Sequence, residues 1–360
     1  MTTTLPTVVR AVLPLIALVS CAGGCSTAPT QTSTTAFEFG VIGDGPYVQA
    51  TESLFAGLIA DMNRAELAFV LHVGDIQADA RLPYSGGAPT CTDESLQSRL
   101  EMFSTSRHPF ILTPGDNEWT DCHFVKDRSV DPLERLERLR ALFFASDQSL
   151  GQQRMTLLAQ ASDSAHAQYV ENRQWLHRGV RFVTLHIVGS NDNLGRTPEM
   201  DREHAQRTAA NLAWLAQAFQ RARDERARAL VIVIQADPQF ATTWSTTQVE
   251  RYLPGLTVTV PERRIATGYD EFRAALEREL ATYAQPVLLI HGDTHIARID
   301  RPLLRTDGRV IDNFIRLESF GHPDVHWVRV RIDPAASGLF SFTQEMGKTG
   351  SDLFSESQGK

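Results

Sequence analysis

The sequence predicts an α/β protein: one large domain of alternating strands and helices, with a second sheet packed on the first. Three observations carry this. Short apolar runs recur along the chain, and several close on Gly-Asp or another polar loop. The segments between them place apolar residues at helical spacing. The last runs alternate apolar and polar residues, as half-exposed antiparallel strands do.

In chain order, FEFGVIGD (37–44) reads as a strand ending in Gly-Asp. TESLFAGLIADMNRA follows as a helix, with Leu54, Leu58 and Met62 on one face. LAFVLHVGD (67–75) and HPFILTPGDNEW (108–119) are the next strands, ending in Gly-Asp and Gly-Asp-Asn-Glu. DPLERLERLRALFFA is helical, with Leu133, Leu136, Leu139 and Phe143 in register. GVRFVTLHIVGSNDN (179–193) is a strand closing on a polar loop, and a long helix follows from Met200. LVIVIQADP (230–238) and PVLLIHGDTH (286–295) are buried strands. NFIRLESF and VHWVRVRID are the alternating ones. No internal repeat and no linker interrupts residues 36–345, which form the folded domain, and 346–360 read as a disordered tail.

Of 360 residues, 42% are hydrophobic and 22% charged, the balance of a globular protein. A net charge of −8 argues against a nucleic-acid partner, which calls for a basic face. Residues 1–20 read as a signal peptide: Arg10 precedes AVLPLIALVS, an apolar stretch too short for a permanent span. Leu18-Val19-Ser20-Cys21 resembles the bacterial lipobox, which implies lipidation of Cys21. An ordinary secretory signal cut nearby, with Cys25 as the alternative, is the other reading. Residues 21–35 are a flexible tether. The expected location is the bacterial cell envelope, lipid-anchored on the periplasmic face, with no other membrane contact. Cys91 and Cys122 lie 31 residues apart, and in an oxidising compartment they read as a disulfide worth roughly 3–4 kcal/mol.

The carboxylates carry the functional signal. Asp44, Asp75, Asp116 and Asp293 each follow a glycine at the end of an apolar strand. In open α/β sheets ligands bind beyond the carboxyl ends of strands. Acidic groups gathered there repel unless cations or shared protons lie between them. A single Gly-Asp after a strand is an ordinary turn or N-cap. Four of them, with His295 beside the last, point to a metal site.

These motifs resemble those of the calcineurin-like metallophosphoesterases. GDGPY (43–47), VGDI (73–76), PGDNEW (114–119), QADP (235–238) and HGDTH (291–295) follow the order and strand context of that family's motifs across residues 36–330. The resemblance implies a four-layer α/β/β/α sandwich of two mixed sheets and one or two divalent ions. It implies an exported phosphoesterase that hydrolyses a phosphate ester by attack of metal-bound water. Its partner would be a phosphorylated small molecule or an envelope phosphodiester. One ion would see Asp44, Asp75 and His295. The other would see Asp75, Asp116, Asp293 and the Gln235 amide oxygen. Such oxygen-rich sets favour Mg²⁺, Mn²⁺ or Ca²⁺ over Zn²⁺.

The departures from the family pattern matter as much. Pro46 stands where the first histidine is expected, Asn117 where a histidine assists the leaving group, Gln235 and Asp293 where histidines ligate, and Asp116 for an asparagine. Asn117 cannot supply a proton to a leaving oxygen. His123, His291 or a metal-bound water is the substitute, and otherwise only good leaving groups depart. These substitutions also leave open an alternative: an envelope lipoprotein, weakly active or inactive, that keeps the fold for ligand or partner binding.

Asn117 and His291 are thus the candidate catalytic residues, with His291 either orienting a carboxylate or simply structural. Glu118 and Asn191 are candidate substrate contacts. Asn191 and Asn193 read equally as an asparagine-rich turn. Trp119, Thr120 and Asp121 extend the third motif toward the pocket. His72, His186, His322 and His326 read as structural. No Gly-x-Ser-x-Gly elbow and no P-loop is present.

Overall fold

The computed structural model describes residues 1–2, 35–81, 90–126, 129–240, 267–305 and 307–347. The signal segment from residue 3, Cys21, Cys25, most of the tether and the tail from 348 lie outside the described residues. The fold lies wholly within Ser33–Lys360.

Its elements run β1 (Phe37–Ile42), α1 (Gln49–Arg64), β2 (Val70–His72), α2 (Asp93–Ser104), β3 (Phe110–Leu112) and α3 (Pro132–Phe143). Then come β4 (Leu158–Ala159), β5 (Arg173–His177), β6 (Val180–Thr184), the short turn α4 (Gly189–Asp192), α5 (Pro198–Asp224) and β7 (Ala229–Val233). The last described are α6 (Asp270–Leu280), β8 (Val287–His291), β9 (Arg298–Asp300), β10 (Phe314–Glu318), β11 (Trp327–Ile332) and β12 (Phe340–Glu345).

These strands form two mixed sheets, as expected. One has the order β12-β11-β1-β2-β3, the other β4-β5-β6-β7-β8-β10-β9. In the first, β1, β2 and β3 are parallel, with Ile42 level with His72 and His72 with Leu112. In the second, β6, β7, β8 and β10 are parallel. Strand alternation sorts their side chains. Phe39, Val41, Leu71 and Ile111 meet Phe182, Val231, Leu288 and Ile290 between the sheets. Ile42, Val70 and Leu112 face α1, α2 and α3 on one outside. Val183, Leu230, Ile232 and Leu289 face α5 and α6 on the other. The result is the four-layer α/β/β/α arrangement.

Helix starts follow capping chemistry. The Thr92 side chain accepts from Ser95 N, and the Asp131 side chain from Leu133 N, with Pro132 next. Thr197 caps α5 in the same way, again just before a proline.

The C-terminal strands require a correction. NFIRLESF and VHWVRVRID do not make a sheet of their own. Strand β10 lies parallel to β8 in the seven-stranded sheet, and β11 crosses to pair antiparallel with β1. Elements α2, α6 and the edge strands β4, β5, β9 and β12 were not expected. In α2 the buried face carries Ser95 and Arg99 beside Leu96 and Phe103, which blurs its apolar period.

Candidate functional site

The seven parallel strands end at a common rim, and the loops leaving them touch. Asp44 N donates to Gly74 O at 3.0 Å, Gly292 N to Gln235 O at 3.0 Å, and His322 N to Asp44 O at 2.9 Å. Gly74 has φ +98°, and a Cβ there would stand 2.6 Å from Gly115 N, so the second and third motif loops could not otherwise meet. Asp44, Asp75, Asp293 and His295 all adopt left-handed backbone, with φ of 49°, 57°, 82° and 63°. Each such residue costs on the order of 1–3 kcal/mol and persists only where its surroundings fix it.

The four aspartates form a chain of neighbours. Asp44 Oδ1 accepts from Asp293 N at 3.0 Å. Asp293 Oδ1 and Asp116 Oδ2 face one space beside Gly189, whose added Cβ would lie 2.6 Å and 2.7 Å from them. Asp116 in turn lies beside Asp75. Asp75 Oδ1 accepts from Asn117 N at 3.2 Å, and its Oδ2 from Tyr47 Oη and Gln235 Nε2, both at 3.2 Å. Asp293 Oδ2 accepts from Asp237 N at 2.9 Å. Asp44 Oδ2 is buried with no hydrogen-bond partner. Among the described residues, no lysine or arginine forms a salt bridge to any of the four.

The electrostatics follow from this crowding. Burial, and then repulsion from Asp293, holds the Asp44 carboxyl well above the usual range. Burial and Asp116 do the same to Asp75. Burial and Asp121 push Asp116 up to about 6, and burial and Asp116 push Asp293 up to about 8. A carboxyl raised above neutrality, as Asp293 is, holds its proton at pH 7 unless a cation replaces it. Among the described residues, however, no three His, Cys, Asp or Glu side chains close on one point at coordination distance. The carboxylates adjoin in series and do not form a finished cage.

The other expected residues divide. His295 joins the cluster: its Nδ1–H donates to His322 O at 2.7 Å, which leaves Nε2 as a lone pair 3.8 Å from Asp44 Oδ1. Gln235 also reaches the cluster, but its orientation corrects the expected amide-oxygen ligand. Its Oε1 accepts from Gly189 N at 2.6 Å and its NH₂ faces Asp75, because the carboxylate needs the donor. Asn117 is turned away, with Nδ2 donating to Gln77 O at 3.0 Å. Glu118 is wholly buried and accepts from Ile76 N and Gly115 N, both at 3.2 Å, so it braces two motif loops and presents nothing to a substrate. Burial pushes its carboxyl up to about 7.

Strand β8 stops at His291, so 291, 293 and 295 do not share a strand face. The His291 ring is buried. Its Nδ1 lies 2.8 Å from Gly292 O, and its Nε2 stands 3.9 Å from Glu318 Oε2, beyond hydrogen-bond reach. Asn191 is exposed and bonds Leu194 O and Gly268 N at 3.0 Å, a turn role. Asn193 accepts from Thr120 Oγ1 at 2.7 Å. His123 contacts Thr120 O and the Phe124 ring, not the aspartates. His72 is a core residue that spans Gly45 O and Gly74 N, and His186 pairs with buried Glu171 at 2.7 Å.

Tyr47 and Glu318 were not among the candidate site residues, and Asp121 was expected only to extend the third motif toward the pocket. Tyr47 follows the first motif, and its hydroxyl lies between Asp75 and His295. Glu318 ends β10 and is fully buried; it accepts from Thr294 N at 3.2 Å and touches Arg298 Nε at 2.6 Å without hydrogen-bond alignment. Asp121, beside Asp116, is held by Arg81 at 2.8 Å, Arg196 at 2.6 Å and the Ser190 hydroxyl at 2.7 Å. Position in a strand-end loop was the available clue for Tyr47.

The turn that carries Gly189 is itself held from below. Ser190, Asn191, Asp192 and Asn193 all have positive φ. The Asp192 side chain accepts from Val188 N at 3.0 Å and from the buried Arg207 guanidinium, which also donates to His186 O at 2.8 Å. This network fixes Gly189 against Asp116 and Asp293. Cys91 and Cys122 are disulfide-bonded, with both sulfurs 3.8 Å from Asn117 O, in keeping with an oxidising compartment. No described helix is long and apolar enough to cross a membrane.

No family model and no curated protein matches the chain by sequence. Among solved structures it is similar to a 5'-nucleotidase from Candida albicans SC5314, with a TM-score of 0.41 and 12% identity, over 89% of this chain. The chain spans about half, 52%, of that protein's length.

Proposed function

We propose that the chain is an exported, metal-dependent phosphoesterase restricted to esters with good leaving groups. One observation carries the reading: Asp44, Asp75, Asp116 and Asp293, from four separate strand ends, adjoin in a buried rim with no salt-bridging lysine or arginine among the described residues. Burying like charges side by side is unfavourable without a cation or shared protons. The unpartnered Asp44 Oδ2 and the all-oxygen donor set suit Mg²⁺, Mn²⁺ or Ca²⁺ better than zinc. Bound there, such an ion lowers the pKa of an attacking water and neutralises phosphate oxygens.

The chain's own residues do the rest. Asn117 N and Gln235 Nε2 fix the Asp75 carboxylate, and Gly189 keeps the space beside Asp116 and Asp293 open. The Asn117 amide is no titratable acid and its Nδ2–H is committed to Gln77 O, so the leaving oxygen departs without a proton from it. Candidate substrates are phosphorylated small molecules or envelope phosphodiesters. Anchoring at the envelope through Cys21 rests on the lipobox resemblance.

The test is hydrolysis of aryl phosphate esters of graded leaving-group acidity with Mg²⁺, Mn²⁺ or Ca²⁺. Rates should climb steeply with acidity and vanish in Asp75→Asn. Equal rates on good and poor leaving groups would contradict the unassisted departure. A second reading, binding without turnover, is favoured by the fixed Asn117 amide. Retained cation with no hydrolysis of any ester would establish it.

A further inference from the structure

We infer that Tyr47 makes this a one-cation site, an inference that rests on the proposed metal dependence. Tyr47 is 2% exposed. Its ring stands edge-on to His295 at 5.3 Å and stacks on His322 at 5.4 Å. Its hydroxyl lies 3.2 Å from Asp75 Oδ2 and 3.1 Å from His295 Nε2. With His295 Nδ1–H spent on His322 O, Nε2 and Asp75 Oδ2 both present lone pairs to that one hydroxyl. An ion shared by Asp75 and His295 would have to occupy the place the hydroxyl fills. Pro46, the residue before it, brings no ligand of its own. The Gln235 oxygen, the remaining amide donor, is taken by Gly189 N.

The opposite flank holds the other carboxylate oxygens. Asp116 Oδ2 and Asp293 Oδ1 face the same space beside Gly189. Asp44 is 1% exposed, its Oδ2 is unpartnered, and its Oδ1 is tied to Asp293 N. The cation belongs with these oxygens, and His295 serves to hold Tyr47.

The experiment is to saturate the purified chain with Mn²⁺, remove the excess, and count manganese per chain by mass spectrometry, with the electron paramagnetic resonance spectrum recorded in parallel. The wild type should hold one ion with the spectrum of an isolated Mn²⁺. His295→Ala should keep that ion, with affinity down by no more than the roughly 10–100-fold that loss of an outer partner costs. Tyr47→Phe should take up a second ion. Two spin-coupled ions in the wild type, or a His295→Ala chain that no longer retains its ion, would overturn the inference. So would a Tyr47→Phe chain that stays at one. Two ions with hydrolysis would leave the phosphoesterase reading standing, and no ion at all would remove both. If Tyr47→Phe does not fold, the wild-type count and His295→Ala still decide.

Discussion

Between pH 5 and pH 8 the cation-free protein is expected to lose thermal stability, and a divalent cation to restore it mainly at pH 8. The sign follows from the raised carboxyls. Asp116 titrates at about 6 and Asp293 at about 8 in the folded chain, displaced by burial and neighbouring acids. Unfolded, both titrate near 3.9, so the folded state binds more protons throughout the interval. Stability therefore falls as pH rises through the folded values. Of the roughly two units by which Asp116 is displaced, only about one, from pH 5 to its folded value of about 6, falls inside the interval, or about 1.4 kcal/mol at 1.36 kcal/mol per unit. Adding the other carboxyls would overcount, because neighbours share protons. In a domain of this size, 1.4 kcal/mol corresponds to roughly 3 °C in Tm. A cation at a hundred times its Kd would return about 2.7 kcal/mol, and it competes with protons, so its effect shrinks at pH 5. Melting curves at pH 5, 6.5 and 8, with chelator and then with Mn²⁺ or Ca²⁺, measure both effects. Asp293→Asn should flatten the pH dependence and abolish the cation shift. A Tm that holds or rises from pH 5 to 8 in chelator, or a cation shift as large at pH 5 as at pH 8, would refute the reasoning.

Three further outcomes are expected. Gly189→Ala should abolish cation uptake while leaving the fold intact by circular dichroism, because its methyl would lie 2.6–2.7 Å from Asp293 Oδ1 and Asp116 Oδ2; unchanged affinity by calorimetry would mean the two carboxylates do not share that space. Arg207→Ala strips a wholly buried guanidinium from Asp192 and should destabilise by about 3–5 kcal/mol in denaturant titration; a change under 1 kcal/mol would show that the turn does not depend on it. Replacing Cys91 and Cys122 by serine opens a 31-residue loop and should lower stability by about 3–4 kcal/mol, read against the reduced wild type, which should match the variant.

What could be read from the sequence was local. Each strand and its terminal Gly-Asp are contiguous, so β1, β2, β3 and β8 and their aspartates were visible, and the strand-end rule brought them to one rim. The sorting of the last strands was not visible, since β10 and β11 show similar alternation although one is parallel to β8 and the other antiparallel to β1. Side-chain orientation was likewise hidden. Gln235 could offer oxygen or nitrogen to Asp75, and Gly189 N, 46 residues away, decides which. The Tyr47 contact spans 248 residues to His295 and depends on the two sheets packing face to face. Glu118 reads as a candidate substrate contact until its burial under two backbone amides is seen.

Anomalous diffraction from crystals grown with Mn²⁺ tests the gathering of these acids most directly. A peak is expected in the space bounded by Asp116 and Asp293 beside Gly189, with the Asp44 and Asp75 side chains nearby. No peak there, at a Mn²⁺ concentration that supports hydrolysis, would contradict a cation-centred site.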